Sequence, residues 1–148
     1  MFIMTLKIKK LRENAIIPAA ATKLSAGLDL HACIDEPTVI KPGEIVNFPT
    51  GIGVCPERED VVMLVFMRSG IGRKFGLSLP NSVGVIDSDY RGEIQVPIIN
   101  LGKEPYTMMP GERFAQLVTM PVIFPEAVEA EELPETERGV NGFGSTGK

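Results

Sequence analysis

The chain has 148 residues, 44% of them hydrophobic and 23% charged, with a net charge of −4, the size and balance of one soluble globular domain with a sizeable core. No Lys/Arg cluster is long enough for a nucleic-acid footprint, and no apolar run reaches the roughly 18 residues of a membrane helix. One histidine, His31, and two cysteines outside any C-x-x-C pair, Cys33 and Cys55, are too few for a Cys/His zinc site. The cysteines read as free thiols, buried or half-buried, in a reducing compartment. The start "MFIMTLKIKK" puts its basic residues after the apolar ones, unlike a secretory leader. The expected location is the cytoplasm or another intracellular compartment.

Fifteen glycines and twelve prolines break every apolar run before it reaches helical length. In chain order, "SAGLDLHA" (25–32) ends a strand and sets Asp29 between two leucines. That acid reads either as an ion-pair partner of an arginine or as a catalytic group, and His31 reads as a surface or internally satisfied histidine. "TVIKPGEIVNF" (38–48) is strand-like around a "KPGE" turn, and "VVMLVFM" (61–67) is apolar throughout, as a strand buried on both faces would be. "RSGIGRKFGL" allows a helix of one or two turns. "SVGVI" (82–86), "EIQVPIINL" (93–101) and "RFAQLVTMPVI" (113–123) complete the strand pattern, with turns at "LGKEP" and "MPGER". This spacing predicts an all-β sandwich or barrel in one domain, residues 1–124. The acidic stretch "PEAVEAEELPETE" (125–137) has the composition of a solvated tether, so residues 125–148 are expected to form a mobile C-terminal arm.

Five stretches carry groups suited to chemistry. In "MRSGIGRKFG" (67–76), Arg68 offers a planar fork for phosphate, Ser69 a hydroxyl, and Gly70 a close backbone approach; the same residues also suit a plain strand-ending turn. In "PNSVGVIDSDYRGEI" (80–94), Asp87 and Asp89 share a face if extended. They could then activate water or bind Mg²⁺, or they mark a solvated hairpin tip. In "PGERFAQLV" (110–118), Gln116 points away from Ala115 and Leu117, toward solvent or a ligand oxygen. With Asp29 in its strand, the fifth stretch is the end of the chain. There Gly142 to Lys148 reads G-x-x-x-x-G-K as in a P-loop, but no helix follows and the residues belong to a longer motif that begins at Arg138.

Together the stretches run A-G-L-D-L, R-S-G, G-V-I-D-S-D-Y-R-G-E-I, P-G-E-R-F-A-Q and R-G-x-x-G-F-G-S-T-G. In this order they resemble the five motifs of the trimeric deoxyuridine triphosphatases (dUTPases), and the resemblance spans about Ser25 to Gly147. It implies an all-β, jelly-roll-like fold and a homotrimer with active sites at subunit junctions. The implied reaction is Mg²⁺-assisted hydrolysis of dUTP to dUMP and pyrophosphate, which keeps uracil out of DNA and supplies dUMP for thymidylate synthesis.

By the same resemblance Asp87 is the water-orienting general base, and Tyr90 packs on the deoxyribose. Asn81, with backbone near Gly84 and Ile94, reads the uracil. Ser69, Gly70 and Gln116 contact phosphates, and Arg68 supports them by pairing with Asp29, whose carboxylate lies near the metal's water shell. Phe143 covers the base, while Arg138, Gly144, Ser145 and Thr146 close around the γ-phosphate. Met67 stands where the family usually has Pro, which implies a local backbone difference. A dCTP deaminase of the same fold and a catalytically silent dUTPase-like binding protein are the alternatives.

Overall fold

The computed structural model describes residues 4–142. Twelve strands and one short helix follow in order: β1 (Leu6–Lys10), β2 (Ala19–Ala20), β3 (Gly27–His31), β4 (Thr38–Ile40), β5 (Ile45–Pro49), β6 (Ile52–Pro56), β7 (Val61–Met67), α1 (Ser69–Phe75), β8 (Leu77–Ser78), β9 (Gly84–Ile86), β10 (Gln95–Asn100), β11 (Tyr106–Met108) and β12 (Arg113–Pro121). No helix among the described residues is long and apolar enough to cross a membrane. The "KPGE" turn divides the expected 38–48 strand into β4 and β5 because Gly43 takes a left-handed φ of 79°, which glycine adopts without steric cost.

Four antiparallel sheets result, of order β1-β6, β5-β10-β8, β11-β4 and β2-β3-β12-β7-β9. Among the described residues they stay separate and close no barrel, so the all-β, jelly-roll-like fold takes its sandwich form. Phe48 of β5 packs on Phe114 of β12, ring centroids 5.8 Å apart, and joins the three-stranded to the five-stranded sheet. Leu30, Ile52, Met63, Ile98 and Leu117 fill the space around them, all essentially solvent-free. Area removed from water on this scale is the main stabilising term of such a domain.

β7 departs from the expected burial on both faces. Val61, Met63 and Val65 point into the core, while Val62, Leu64 and Phe66 are only half-buried. Register places Leu64 beside Val118 of β12 and Val85 of β9, with Phe66 beside Gln116 and Val62 beside Met120. The five-stranded sheet therefore carries an apolar stripe on its outer face. An all-apolar strand thus lies in a sheet with one core-facing side, its second face apolar and half-buried.

Helix α1 ends where Gly76 turns left-handed (φ 74°) and donates its N–H to the Gly72 carbonyl (2.9 Å). A Cβ at Gly76 would lie 2.8 Å from the Gly102 nitrogen, so glycine is required on two counts. Beyond β12, Val122 donates to the Asp60 carbonyl (3.0 Å). After that point the chain to Asn141 is exposed, and among the described residues its further hydrogen bonds lie within residues 136–141.

Candidate active site

One polar group lies at the end of the outer face of the five-stranded sheet. Asp29 on β3 is 8% exposed. Its two carboxylate oxygens accept from Arg68 Nε (3.0 Å) and from Arg113 Nη1 (3.1 Å). Arg68 also donates to the Arg113 carbonyl (3.3 Å). Burial of a carboxylate demands such compensation, and this geometry makes Asp29 an anchor for two arginines. Gln116 sits directly opposite Asp29 in the ladder. Its side chain lies over Gly27, where a Cβ would fall 2.6 Å from the amide oxygen.

Ser69 and Gly70 follow Arg68 as the first residues of α1, both exposed, with open space around Gly70. Next to this group, His31 has a buried Nδ1 with no hydrogen-bond partner among the described residues. Its burial lowers the imidazole pKa, partly offset by Asp29, so the ring is held neutral at neutral pH.

A second group forms around the β9–β10 hairpin. Asp87 follows β9, and the Tyr90 N–H closes a turn onto the Asp87 carbonyl (3.1 Å). That turn takes Asp87 and Asp89 off the extended ladder, though both still border one hollow. The Tyr90 hydroxyl donates to the Glu93 carbonyl (3.0 Å). Its ring lies over Gly92, where a Cβ would collide with the phenol oxygen. Arg91 ties the tip by donating to the Ser88 carbonyl (2.7 Å). A cleft of about 210 Å³ is lined by Val85, Ile86, Asp87, Tyr90, Glu93, Ile94 and Gln95. A larger hollow of about 680 Å³, with Val62, Asp89 and Phe124 on its walls, also borders Asp87.

The main chain beside the cleft differs from expectation by one residue. Ile94 donates its N–H to the Ile52 carbonyl (2.9 Å), and its own carbonyl accepts from the Thr50 N–H (3.1 Å) and hydroxyl (2.8 Å). Ile94 is therefore spent on the core. Main-chain groups of successive strand residues point to opposite edges, so those of Gln95 point the other way. Opposite Gln95 stands Pro49, which has no N–H and whose carbonyl is taken by the Cys33 N–H (2.8 Å). On the edge of this strand that faces away from β5, Gln95 thus presents an N–H and a carbonyl with no strand paired beside them among the described residues.

Gly84 lies across from Val65, with room for a Cβ only at 3.1 Å from the Val65 Cβ. Asn81 is exposed in the loop between β8 and β9, where Ser82 is left-handed (φ 65°). Arg138 is exposed and donates to the Asn141 carbonyl (3.0 Å). Phe143, Gly144, Ser145 and Thr146 lie outside the described residues.

The two groups do not meet within one chain. Asp87 follows Ile86, which stands opposite Met63, so it lies beside Val62 at the far end of β7 from Arg68. Six residues at about 3.3 Å each put roughly 20 Å between Asp87 and the Arg68–Ser69 corner.

The sequence pattern missed Glu93 as well as Gln95. The Glu93 carboxylate accepts from Arg12 Nε (2.7 Å) and Nη2 (3.0 Å), from the Gly51 N–H (2.8 Å) and from Gln95 Nε2 (2.6 Å). The Arg12 hydrogen bond holds its carboxyl below the usual range despite partial burial. Nothing local in "YRGEI" signals this, because its main partner is 81 residues away.

The family model for dUTPase matches residues 13–147. The chain is 48% identical over 140 residues to the deoxyuridine 5'-triphosphate nucleotidohydrolase of Coxiella burnetii (strain Dugway 5J108-111), covering 95% of this chain and 92% of that one. It is 50% identical over 131 residues to the protein of the same name from Desulfitobacterium hafniense (strain DSM 10664 / DCB-2), covering 88% and 87%. Among solved structures it is similar to a Staphylococcus bacteriophage 80alpha dUTPase mutant with dUpNHpp, with a TM-score of 0.87, 30% identity, and 97% and 99% of the two chains covered. It is also similar to a mutant dUTPase from phage phi11 of S. aureus, described with a structural Mg(II) ion, with a TM-score of 0.77 and 28% identity over 86% of this chain and 97% of that one. Matched by the family model over most of its length and near half identical to relatives across nearly their whole length, the chain belongs to the dUTPase family.

Proposed function

We propose that this chain hydrolyses dUTP to dUMP and pyrophosphate, with Asp87 as the general base. The observation that carries this reading is the convergence of a carboxylate (Asp87), an aromatic ring (Tyr90) and an unused main-chain edge (Gln95) on one cleft. A water oxygen attacks the α-phosphorus and gives its proton to the Asp87 carboxylate. The bond from the α-phosphorus to the bridging oxygen breaks, and pyrophosphate leaves with the electron pair. Tyr90 packs on the deoxyribose, and its fixed ring leaves no room for a 2′-hydroxyl. The Gln95 N–H and carbonyl, with Gly84 and Asn81 nearby in the hairpin, take the place first expected of Ile94 in reading uracil. A base recognised by a donor–acceptor edge is discriminated strongly, because the wrong edge leaves buried groups mispaired.

Mg²⁺ travels with the triphosphate as part of the substrate. Both oxygens of Asp29 are engaged by arginines, so Asp29 would reach the ion only through the ion's bound water. On the phosphates the ion offsets charge that builds on the leaving pyrophosphate. Ser69, Gly70 and Gln116 bind the phosphates, with Arg68 and Asp29 holding that corner in place.

The roughly 20 Å between Asp87 and Ser69 supports an active site assembled from more than one chain, in a homotrimer. The half-buried stripe of Val62, Leu64 and Phe66 supplies an apolar face for subunit packing. Free Cys33 and Cys55 favour a reducing compartment, the cytoplasm.

The test is to incubate the protein with Mg²⁺ and each deoxynucleoside triphosphate in turn and to resolve the products. dUMP and pyrophosphate from dUTP alone are expected. Formation of dUTP from dCTP would mark a deaminase instead, and no turnover would mark a binding protein. Gly92→Ala provides a finer check: the new Cβ displaces the Tyr90 ring, and KM for dUTP should rise about tenfold in steady-state assays while kcat changes less.

A further inference from the structure

We infer that Glu93, held by Arg12, is a positioning residue that sets both walls of the base and sugar cleft: the Tyr90 ring and the Gln95 main chain. The inference rests on the reading that this cleft takes the nucleoside of dUTP. Glu93 lies between the two walls in sequence and is bonded to both in space. Its main-chain carbonyl accepts the Tyr90 hydroxyl (3.0 Å), and its carboxylate accepts from the Gln95 side-chain Nε2 (2.6 Å), so the Gln95 main chain is held through its own side chain. Gln95 is braced on its far side by Asn47 Nδ2 (3.0 Å).

The clamp is anchored outside the hairpin. Arg12 grips both carboxylate oxygens, a charge-assisted fork with geometry that Lys cannot copy. The Gly51 N–H adds a donor from a turn with no slack, since a Cβ at Gly51 would lie 2.6 Å from the Cys33 sulfur and 2.7 Å from the Ala15 Cβ. Gly53 is seated under the carbonyls of Arg91 and Gly92, with a Cβ there 3.1 and 3.4 Å from them. The Glu93 side chain is 18% exposed, so water cannot readily replace these partners.

A glutamine at 93 has one acceptor oxygen for donors that now use two, and its NH₂ would face Arg12 or the Gln95 amide. The Gln95 side chain then loses its direct partner, and the main chain whose carbonyl holds the Tyr90 hydroxyl loses its anchor to Arg12 and Gly51.

The chain has two tyrosines and no tryptophan, so Tyr106→Phe leaves Tyr90 as the only tyrosine reporter. In that background, acrylamide quenching of the tyrosine emission should increase about twofold in Glu93→Gln, as the ring loosens. KM for dUTP should rise roughly tenfold with kcat nearly unchanged, and the preference for dUTP over UTP should narrow by a similar factor. Arg12→Lys, a milder change, should shift all three readouts in the same direction.

Unchanged quenching, KM and dUTP/UTP preference in both variants would overturn the inference. So would a lowered melting temperature with unaltered kinetics, which marks a purely structural role. If the parent protein turns over no dUTP, the proposed reaction fails, whereas the quenching comparison still decides whether Glu93 holds Tyr90.

Discussion

Asp87→Asn is expected to lower kcat for dUTP about a thousandfold while leaving the affinity for a non-hydrolysable dUTP analogue nearly unchanged. The substitution is nearly isosteric. The turn at Asp87 is closed by the main chain, Tyr90 N–H to Asp87 carbonyl, so the side chain is not what holds the loop. Asp87 is exposed at the junction of two hollows and free to meet a water molecule. An asparagine there can still orient that water, but it cannot take its proton. Loss of kcat with retained binding separates an interaction made in the transition state from one made with the ground state. Single-turnover assays and analogue titration measure the two quantities, and near wild-type turnover would strip Asp87 of its role.

Removal of residues 138–148 is expected to reduce kcat/KM by a factor on the order of 10³ with the proposed trimer and its melting temperature preserved. The missing segment takes with it Arg138, Ser145 and Thr146 as proposed donors to the γ-phosphate, and Phe143 as the cover over uracil. The body should tolerate the cut. Among the described residues the last main-chain bond to it is made at Val122, and Arg138 bonds only to Asn141. Sedimentation analysis beside steady-state kinetics reads both halves of this result. Normal kinetics in the truncated protein would show that the arm does not close the site.

β4, β5, β7, β9, β10 and β12 were legible because Gly and Pro delimit them and β-branched residues fill them, whereas β6, β8 and β11 lie outside the runs read as strands. The helix at Ser69–Phe75 was legible only as a turn or two, since its glycines limit helix length. β7 misled on burial, because an apolar strand reads alike whether its second face is fully or only half buried. An acid set between leucines called for some compensating cation, but its identity as Arg68 came from the family resemblance, and Arg113 as a second partner was not foreseen. Two features of the site were hidden for physical reasons. Whether Ile94 or Gln95 has free main-chain groups depends on which edge of β10 faces β5, a matter of register that residue type does not encode. The Glu93–Arg12 clamp joins positions distant in sequence, in the β1–β2 connection and the hairpin, with no motif to announce it. The gap between Asp87 and Ser69 likewise appears only once the direction of β9 along β7 is known.

In the proposed assembly, Asp87 and the phosphate-binding corner of one active site come from different chains. The direct measurement mixes two inactive variants, Asp87→Asn and the double variant Ser69→Ala/Gln116→Ala, unfolds and refolds them together in equal amounts, and assays dUTP hydrolysis. If each site draws Asp87 from one subunit and Ser69 with Gln116 from another, random assembly makes roughly a quarter of the sites whole, and turnover should recover to that level. If a single chain supplies both, every site carries a defect, and activity no greater than the sum of the separate variants would contradict the account.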